Sequence, residues 1–389
     1  VSAAPPRRTY RVAIVGGGIV GLFTALHLLR AGAGPIVVVE RGFLSSGASG
    51  RNGGGVRQQW DTRATVRLMR EAVAAWRQFG REFGTNVWFR QGGYLFLAGS
   101  PAELQRLRQV TEAVRAEGLP GRLLDVGDIG RYAPSLALDG IVGATFLGTD
   151  GTLYPFPGIW GVYEAVRSLG GEVRLGTEVT GIRIENGHVA GLSTRAGPID
   201  APSVVNAAGG WSADVSRLAG LSVPNVASRH EILATEPLKP FLDPMVIRLS
   251  DGMYFSQTMR GEIVGGLTVP HPPGTKGGMP TSPAFLRAMS RALVTLVPAL
   301  APVGVLRAWS GFYDDTPDGF PVIGEDPRLP GFVHANGFSG HGFMLSPASS
   351  RRVAKAVLGE PTDLDPAQFS PARFLDPNRR TEAEGLQPG

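Results

Sequence analysis

Cysteine is absent from the 389 residues. That excludes disulfides, thiolate metal sites, cysteine-held iron–sulfur clusters, cysteine nucleophiles and a flavin linked through cysteine. Charged residues are scarce at 18%, while hydrophobic residues reach 43%, a balance that excludes a disordered chain. No apolar run approaches the roughly eighteen residues of a membrane-spanning helix. The first residues carry no apolar stretch ending in a cleavage site, so a cytoplasmic protein is the expectation. The net charge is +5, but no basic stripe interleaved with aromatics accompanies it, which argues against a nucleic-acid partner. No internal repeat is visible. Glycine, by contrast, is abundant: 55 residues without a collagen period, placed where turns or close backbone approach are needed.

Arg11-Val-Ala-Ile-Val15 reads as a buried parallel strand, Leu22 to Arg30 as a helix, and Pro35-Ile-Val-Val-Val39 as a second strand ending at Glu40. Between strand and helix, Gly16, Gly18 and Gly21 make G-x-G-x-x-G. The first glycine permits the tight turn. The second lets backbone N–H groups meet a pyrophosphate, and the third lets helix pack close to strand. Glu40 stands 24 residues beyond Gly16, where a carboxylate accepts hydrogen bonds from ribose hydroxyls. The unit binds a dinucleotide, NAD or FAD. Two features favour FAD: a single fingerprint followed by a large second lobe, and a second donor-rich loop, Ala48-Ser-Gly-Arg-Asn-Gly-Gly-Gly-Val56. A third glycine loop, Asn336-Gly-Phe-Ser-Gly-His-Gly-Phe-Met344, opens a helix and suits N–H dipoles at a flavin edge.

The expected architecture is α/β: a discontinuous Rossmann-like FAD-binding domain (10–85, 150–222 and 325–362) and a second, mostly antiparallel β-sheet substrate domain (86–149 and 223–324). Residues 363–389 are expected to be an appendage or frayed tail. An amphipathic helix is expected over 62–83, a hairpin over 87–98 around Gly92-Gly93, a helix over 101–117 and another over 158–169. A meander is expected over 178–205, a helix near 283–296 and a closing helix over 346–358.

The segments Val-Ala-Ile-Val-Gly-Gly-Gly-Ile-Val-Gly21, Glu40-Arg41, Gly47-Ala-Ser-Gly50, Val205-Asn-Ala-Ala-Gly-Gly-Trp211, Thr316-Pro-Asp-Gly-Phe-Pro-Val-Ile-Gly324 and Gly337-Phe-Ser-Gly-His-Gly342 together resemble the FAD-dependent D-amino-acid oxidase-like superfamily, with its glutathione-reductase-type FAD fold. Within it, Arg51-Asn-Gly-Gly-Gly-Val-Arg-Gln-Gln59 is most similar to the β subunits of heterotetrameric sarcosine oxidase and of dye-linked L-proline dehydrogenase. The resemblance implies oxidation of an amino acid or N-methyl or cyclic amino acid by hydride transfer to flavin N5, giving an imine, with O2 or another acceptor taking the electrons. It also implies the alternative of a flavin-bearing subunit acting in assembly or electron relay, with further subunits and an FMN at their interface.

Carried over residue by residue, the resemblance implies an FAD site from Gly16, Gly18, Ile19, Val20, Gly21, Glu40, Arg41, Ser49, Gly50, Arg51, Asn52, Gly53 and Gly54. Val179, Ala208, Gly209, Trp211, Gly311, Gly337, Ser339, Gly340, His341, Gly342, Phe343 and Met344 complete it. Gly311 stands where single-chain members attach FAD to cysteine, so the cofactor is expected to be noncovalent. Arg57 matches the arginine that binds the substrate carboxylate; its bland alternative is a salt bridge to the neighbouring helix. Met344 replaces a second cation, and Glu262 to Val269 lacks the lysine that activates oxygen, which favours a dehydrogenase or an electron partner. His341, Tyr254, His271 and Tyr313 are further catalytic candidates, each with a packing or solvent alternative. Asp314, Asp315 and Asp318 resemble a metal cluster on paper, but their turn context favours capping, and His230-Glu231 lacks the partners of a zinc motif; no metal is assigned.

Overall fold

The computed structural model describes residues 9–376. Strand Val12–Val15 lies inside a six-stranded sheet, paired in parallel with Ile36–Val39 on one side and Ser203–Asn206 on the other. Glu172–Arg174 and Phe332–Asn336 extend it in parallel, and Val322–Glu325 closes one edge in the antiparallel sense. All of Val12–Val15 and Ile36–Val39 is buried because both sheet faces are covered. Val12 and Ile14 join the helical side with Leu22 and Leu26, while Ala13 and Val15 join Ile182, Leu192 and Ile199 of a three-stranded meander.

The helical layer holds Ile19–Arg30, Arg63–Phe83, Pro155–Ser168 and Gly342–Val357. In Arg63–Phe83 a stripe of Val66, Met69, Val73, Trp76 and Phe79 is buried, as an amphipathic helix requires, and the Thr62 hydroxyl caps the N-terminus by accepting from the Thr65 N–H.

The second sheet has eight strands in the order Val305–Asp315, Val226–Thr235, Ile263–Gly266, Met253–Gln257, Met245–Arg248, Tyr94–Ala98, Gly143–Leu147, Arg122–Leu124. It is antiparallel except where Met245–Arg248 meets Tyr94–Ala98. Leu95, Leu97, Val246 and Phe255 face a core capped by helix Pro283–Leu296. Tyr94, Phe96, Met245 and Ile247 point the other way, towards the nucleotide domain.

Four expectations change. Residues 87–98 form no hairpin: only Tyr94–Ala98 is a strand, and a Cβ on Gly92 would meet the Asp243 carbonyl oxygen at 2.2 Å, so that glycine serves close approach, not a turn. Val322–Glu325 straddles the expected boundary at 324 yet belongs to the first sheet. The closing helix begins at Gly342, four residues early, because the glycine loop turns directly into it. Residues 363–376 are not frayed: Phe369 is buried, and Arg373 is sealed against Asp318, donating from Nε at 2.8 Å and Nη2 at 3.0 Å. The rest of the expected tail, 377–389, lies outside the described residues.

Arg373→Ala leaves the Asp318 carboxylate buried without its cation. It is expected to destabilise the fold by about 3–5 kcal/mol, read by denaturant unfolding.

Candidate active site

The turn at Gly16 is dictated by contact with the neighbouring strand's end. Gly16 adopts φ 114°, and a Cβ there would meet the Ala207 carbonyl oxygen at 2.3 Å. A Cβ on Gly21 would meet the Gly16 carbonyl oxygen at 2.1 Å, so helix and turn touch backbone to backbone. Gly18 is the N-cap of Ile19–Arg30 and brings no side chain to it; the Ile19 N–H donates to Ser49 Oγ at 3.0 Å. The Glu40 carboxylate accepts from the Gly17 N–H at 2.9 Å and the Gly42 N–H at 2.8 Å, which fixes it at the strand end.

These groups line one end of a cavity of about 420 Å³. Its walls continue through Arg41, Ser49, Arg51, Asn52, Gly53, Val179, Ala208, Gly209 and Trp211, then through Gly311, Gly340, His341, Gly342, Phe343 and Met344. The Arg41 guanidinium lies 4.0 Å over the Trp211 ring. Arg51 braces the wall instead of reaching into solvent, donating to the carbonyls of Ser46 and Ser310. A Cβ on Gly311 would come within 3.3 Å of the Arg51 Cβ.

Six expected residues do not line the cavity. Gly21, Gly50 and Gly54 pack against backbone behind it, at Gly16, Ser45 and Leu153. The Gly337 N–H donates to Asp314 Oδ2 at 2.6 Å, and Ser339 donates its N–H to the Asp314 carbonyl, so both hold the loop in place. His271 is directed to the opposite face of the second sheet. Its Nε2 lies 2.7 Å from Glu231 Oε2, and its Nδ1 accepts from Arg229 at 2.6 Å. Arg229 can only donate, so His271 carries its proton on Nε2.

The far end of the cavity gathers Arg57, Tyr94, His230, Met245, Ile247, Tyr254, Tyr313 and His341. Arg57 is 1% exposed, lies 3.9 Å over Trp60, and donates to the Gln59 carbonyl at 3.0 Å and to His341 Nε2 at 3.1 Å. An arginine only donates, so Nε2 of His341 is the unprotonated nitrogen. Burial, reinforced by the Arg57 charge, holds the His341 pKa well below its usual value, and this imidazole is neutral. Tyr254 and Tyr313 share a hydrogen bond, and burial pushes both phenols up, Tyr313 to about 12. His230 stacks on Tyr313 at 3.7 Å, and burial lowers its pKa to about 4. Arg57 is therefore the one formal charge among these eight side chains at neutral pH.

His230, Tyr94, Met245 and Ile247 are additions to the sequence reading. Alternation along Val226–Thr235 was the available signal for His230: its neighbour Glu231 turns to the other face and caps Ser282. The three aspartates do not cluster. Asp314 accepts from Ser212 Oγ, Asp315 from Ser228, and Asp318 from Arg373. Among the described residues no group of acids and histidines converges on a metal position.

The model of the FAD dependent oxidoreductase family matches residues 11–356. The chain belongs to this family. Such an oxidoreductase needs a backbone-lined trough with a helix N-terminus at one end, and the cavity between Gly16 and Gly342 is one, so its residues fit FAD. The chain is 31% identical to a sarcosine oxidase subunit beta of Rhizobium meliloti, over 88% of this chain and 83% of that protein. It superposes on the crystal structure of L-proline dehydrogenase from P. horikoshii with a TM-score of 0.90 and 33% identity, covering 95% of this chain and 99% of the other. Glycine oxidase from Geobacillus kaustophilus superposes with a TM-score of 0.86 at 27% identity, covering 94% and 99%.

Gly16→Val places a branched side chain against the Ala207 carbonyl. The folded variant is expected to purify with less than about a tenth of the wild-type flavin, read from the ratio of visible to ultraviolet absorbance.

Proposed function

We propose that this flavoenzyme oxidises the carbon–nitrogen bond of a small amino acid, with sarcosine, proline and glycine as the first candidate substrates. One observation carries the reading: a single buried guanidinium, Arg57, stands at the far end of the cavity, where the other seven side chains, Tyr94, His230, Met245, Ile247, Tyr254, Tyr313 and His341, are neutral. A carboxylate suits that guanidinium, and the remainder of a small amino acid suits the walls. The relatives named for sarcosine, proline and glycine support it.

Each residue has a task in this reading. Trp60 and Phe96 stack on the Arg57 guanidinium and hold its plane. The neutral imidazole of His341 receives one Arg57 N–H and leaves the arginine's charge intact for the substrate. Tyr94, Tyr254 and Tyr313 keep their protons and present no anion to an ammonium group. The substrate amine is thereby favoured in its neutral form, whose lone pair assists departure of hydride from the adjacent carbon. FAD, when bound, supplies the two-electron acceptor.

A second role, as one subunit of a larger assembly, is favoured by an exposed aromatic surface. Trp88, Phe156 and Trp160 are 47%, 50% and 54% exposed, and Tyr154 lies between the first two. Size-exclusion mass of the protein copurified from its native source tests that role.

Anaerobic titration with sarcosine, L-proline, D-proline and glycine is expected to bleach the flavin band with at least one of them, and the rate of recovery in air separates oxygen from another acceptor. Arg57→Gln is expected to raise KM for that substrate by about 30–100-fold, the worth of a buried charged hydrogen bond. No bleaching by any of the four, with flavin bound, overturns the reading.

A further inference from the structure

A second charged group stands behind Arg57. Asp150 is fully buried, at the turn that follows strand Gly143–Leu147, and 93 residues separate it from Arg57 in sequence. Oδ1 of Asp150 accepts from the Gln58 backbone N–H at 2.7 Å and from Gln58 Nε2 at 3.3 Å. Oδ2 accepts from Gln59 Nε2 at 3.0 Å. The same Gln59 receives an Arg57 N–H on its backbone carbonyl and donates through Nε2 to the Tyr94 carbonyl at 3.1 Å. The Asp150 carbonyl in turn accepts from the Gly93 N–H at 3.0 Å. Asp150, by its carboxylate on one side and its carbonyl on the other, thus joins the segment that bears Arg57 to the strand that bears Tyr94, two walls of the cavity.

An acid in such a place is costly unless its bonds are made, and these bonds come from the two residues that follow Arg57. We infer that Asp150 is the positioning residue of the substrate-carboxylate site: through Gln58 and Gln59 it holds Arg57 in its binding orientation, and its charge sets how strongly that arginine attracts an anion. This inference rests on the reading of Arg57 given above. Orienting a long side chain before the ligand arrives spares the rotamer entropy that binding otherwise costs. The electrostatic half follows from proximity. An ionised Asp150 offsets part of the Arg57 charge; a protonated one does not.

Desolvation pushes the Asp150 pKa up to about 7, against the lowering by the glutamine donors and Arg57. The titratable groups facing this cluster are Arg57 itself, Tyr94 from its strand, and His341 from the head of its helix. Tyr94 stays protonated and His341 stays neutral from pH 6 to pH 8.5. His230, Tyr254 and Tyr313, elsewhere on the walls, also hold one state through that range. Asp314 ionises in the same range, so the variants and not the wild-type profile alone decide the assignment.

The test uses the FAD-loaded protein and pyrrole-2-carboxylate, a cyclic carboxylate with no hydride to lose, followed by its perturbation of the flavin absorbance. Wild type is expected to bind it about tenfold more weakly at pH 8.5 than at pH 6, and Asp150→Asn to bind with no slope over that range. Gln59→Leu, which keeps the acid and breaks the link, is expected to weaken binding about five- to tenfold and to raise KM with kcat changed by less than about threefold. An Asp150→Asn profile that keeps the wild-type slope, or a Gln59→Leu variant that binds as wild type does, overturns the inference while the substrate reading stands. Wild type that ignores the carboxylate, or an Arg57→Gln variant that binds it equally well, overturns the substrate reading and this inference with it.

Discussion

The Asp314 carboxylate, sealed between the two sheets, receives the Gly337 N–H at 2.6 Å, the Ser212 hydroxyl at 2.9 Å and the Asn225 amide at 3.2 Å. Asp314 belongs to the longest strand of the second sheet, Val305–Asp315. Ser212 follows the nucleotide-sheet strand Ser203–Asn206, and Gly337 follows Phe332–Asn336. One side chain therefore relates three segments from two domains. Burial drives its pKa to about 7, a measure of what the fold spends to hold it there. Asn225 carries the link onward to Asn336, which meets His334 Nδ1, and His334 Nε2 in turn meets Asp326 in the nucleotide domain. The cavity lies between the domains that this chain of bonds holds together, so its width depends on that junction.

Electrostatics at the substrate end work by subtraction. Burial removes charge from His230 and His341 and keeps the tyrosines protonated. What is left is the Arg57 guanidinium with aromatic faces on it. In such surroundings a single cation acts at greater strength than it would at a surface, because little water screens it. The price is a demand for exact placement, and the glutamine pair on Asp150 answers it.

The nucleotide end was legible from sequence because its constraints are local. Gly16, Gly18, Gly21 and Glu40 fall within one β-α-β unit, and spacing alone aligns them. The meander was legible from Asn186-Gly187 and Gly197 at its turns. The far end was legible only in part: the resemblance led to Arg57 and the glycine loop to His341, with Tyr254 and Tyr313 as candidates. Tyr94, His230, Met245 and Ile247 were missed, because they are brought together by an eight-stranded sheet whose strand order no local pattern encodes. Tyr94 stands in Tyr94–Ala98, buried throughout, where alternation gives no hint of which residues face the cavity. His271 was misplaced for the related reason that a histidine after a strand has no periodic neighbour to declare its side. Gly92-Gly93 read as a turn since close approach and turning ask for the same residue.

Strand order also bears on the moment at which the cofactor trough comes into being. The fingerprint strand Val12–Val15 is made well before its partner Ser203–Asn206, which follows some 190 residues later, and the next strand, Phe332–Asn336, comes more than 120 beyond that. The Ala207 carbonyl that shapes the Gly16 turn comes with the first latecomer, and the Gly340–Met344 wall comes after the second. Ile36–Val39 covers one edge of the fingerprint strand soon after it is made, but the other edge stays without its neighbour until Ser203–Asn206 is made. Flavin loading on this account waits for the Gly340–Met344 wall, the last part of the trough to be made, and not for the fingerprint that precedes it.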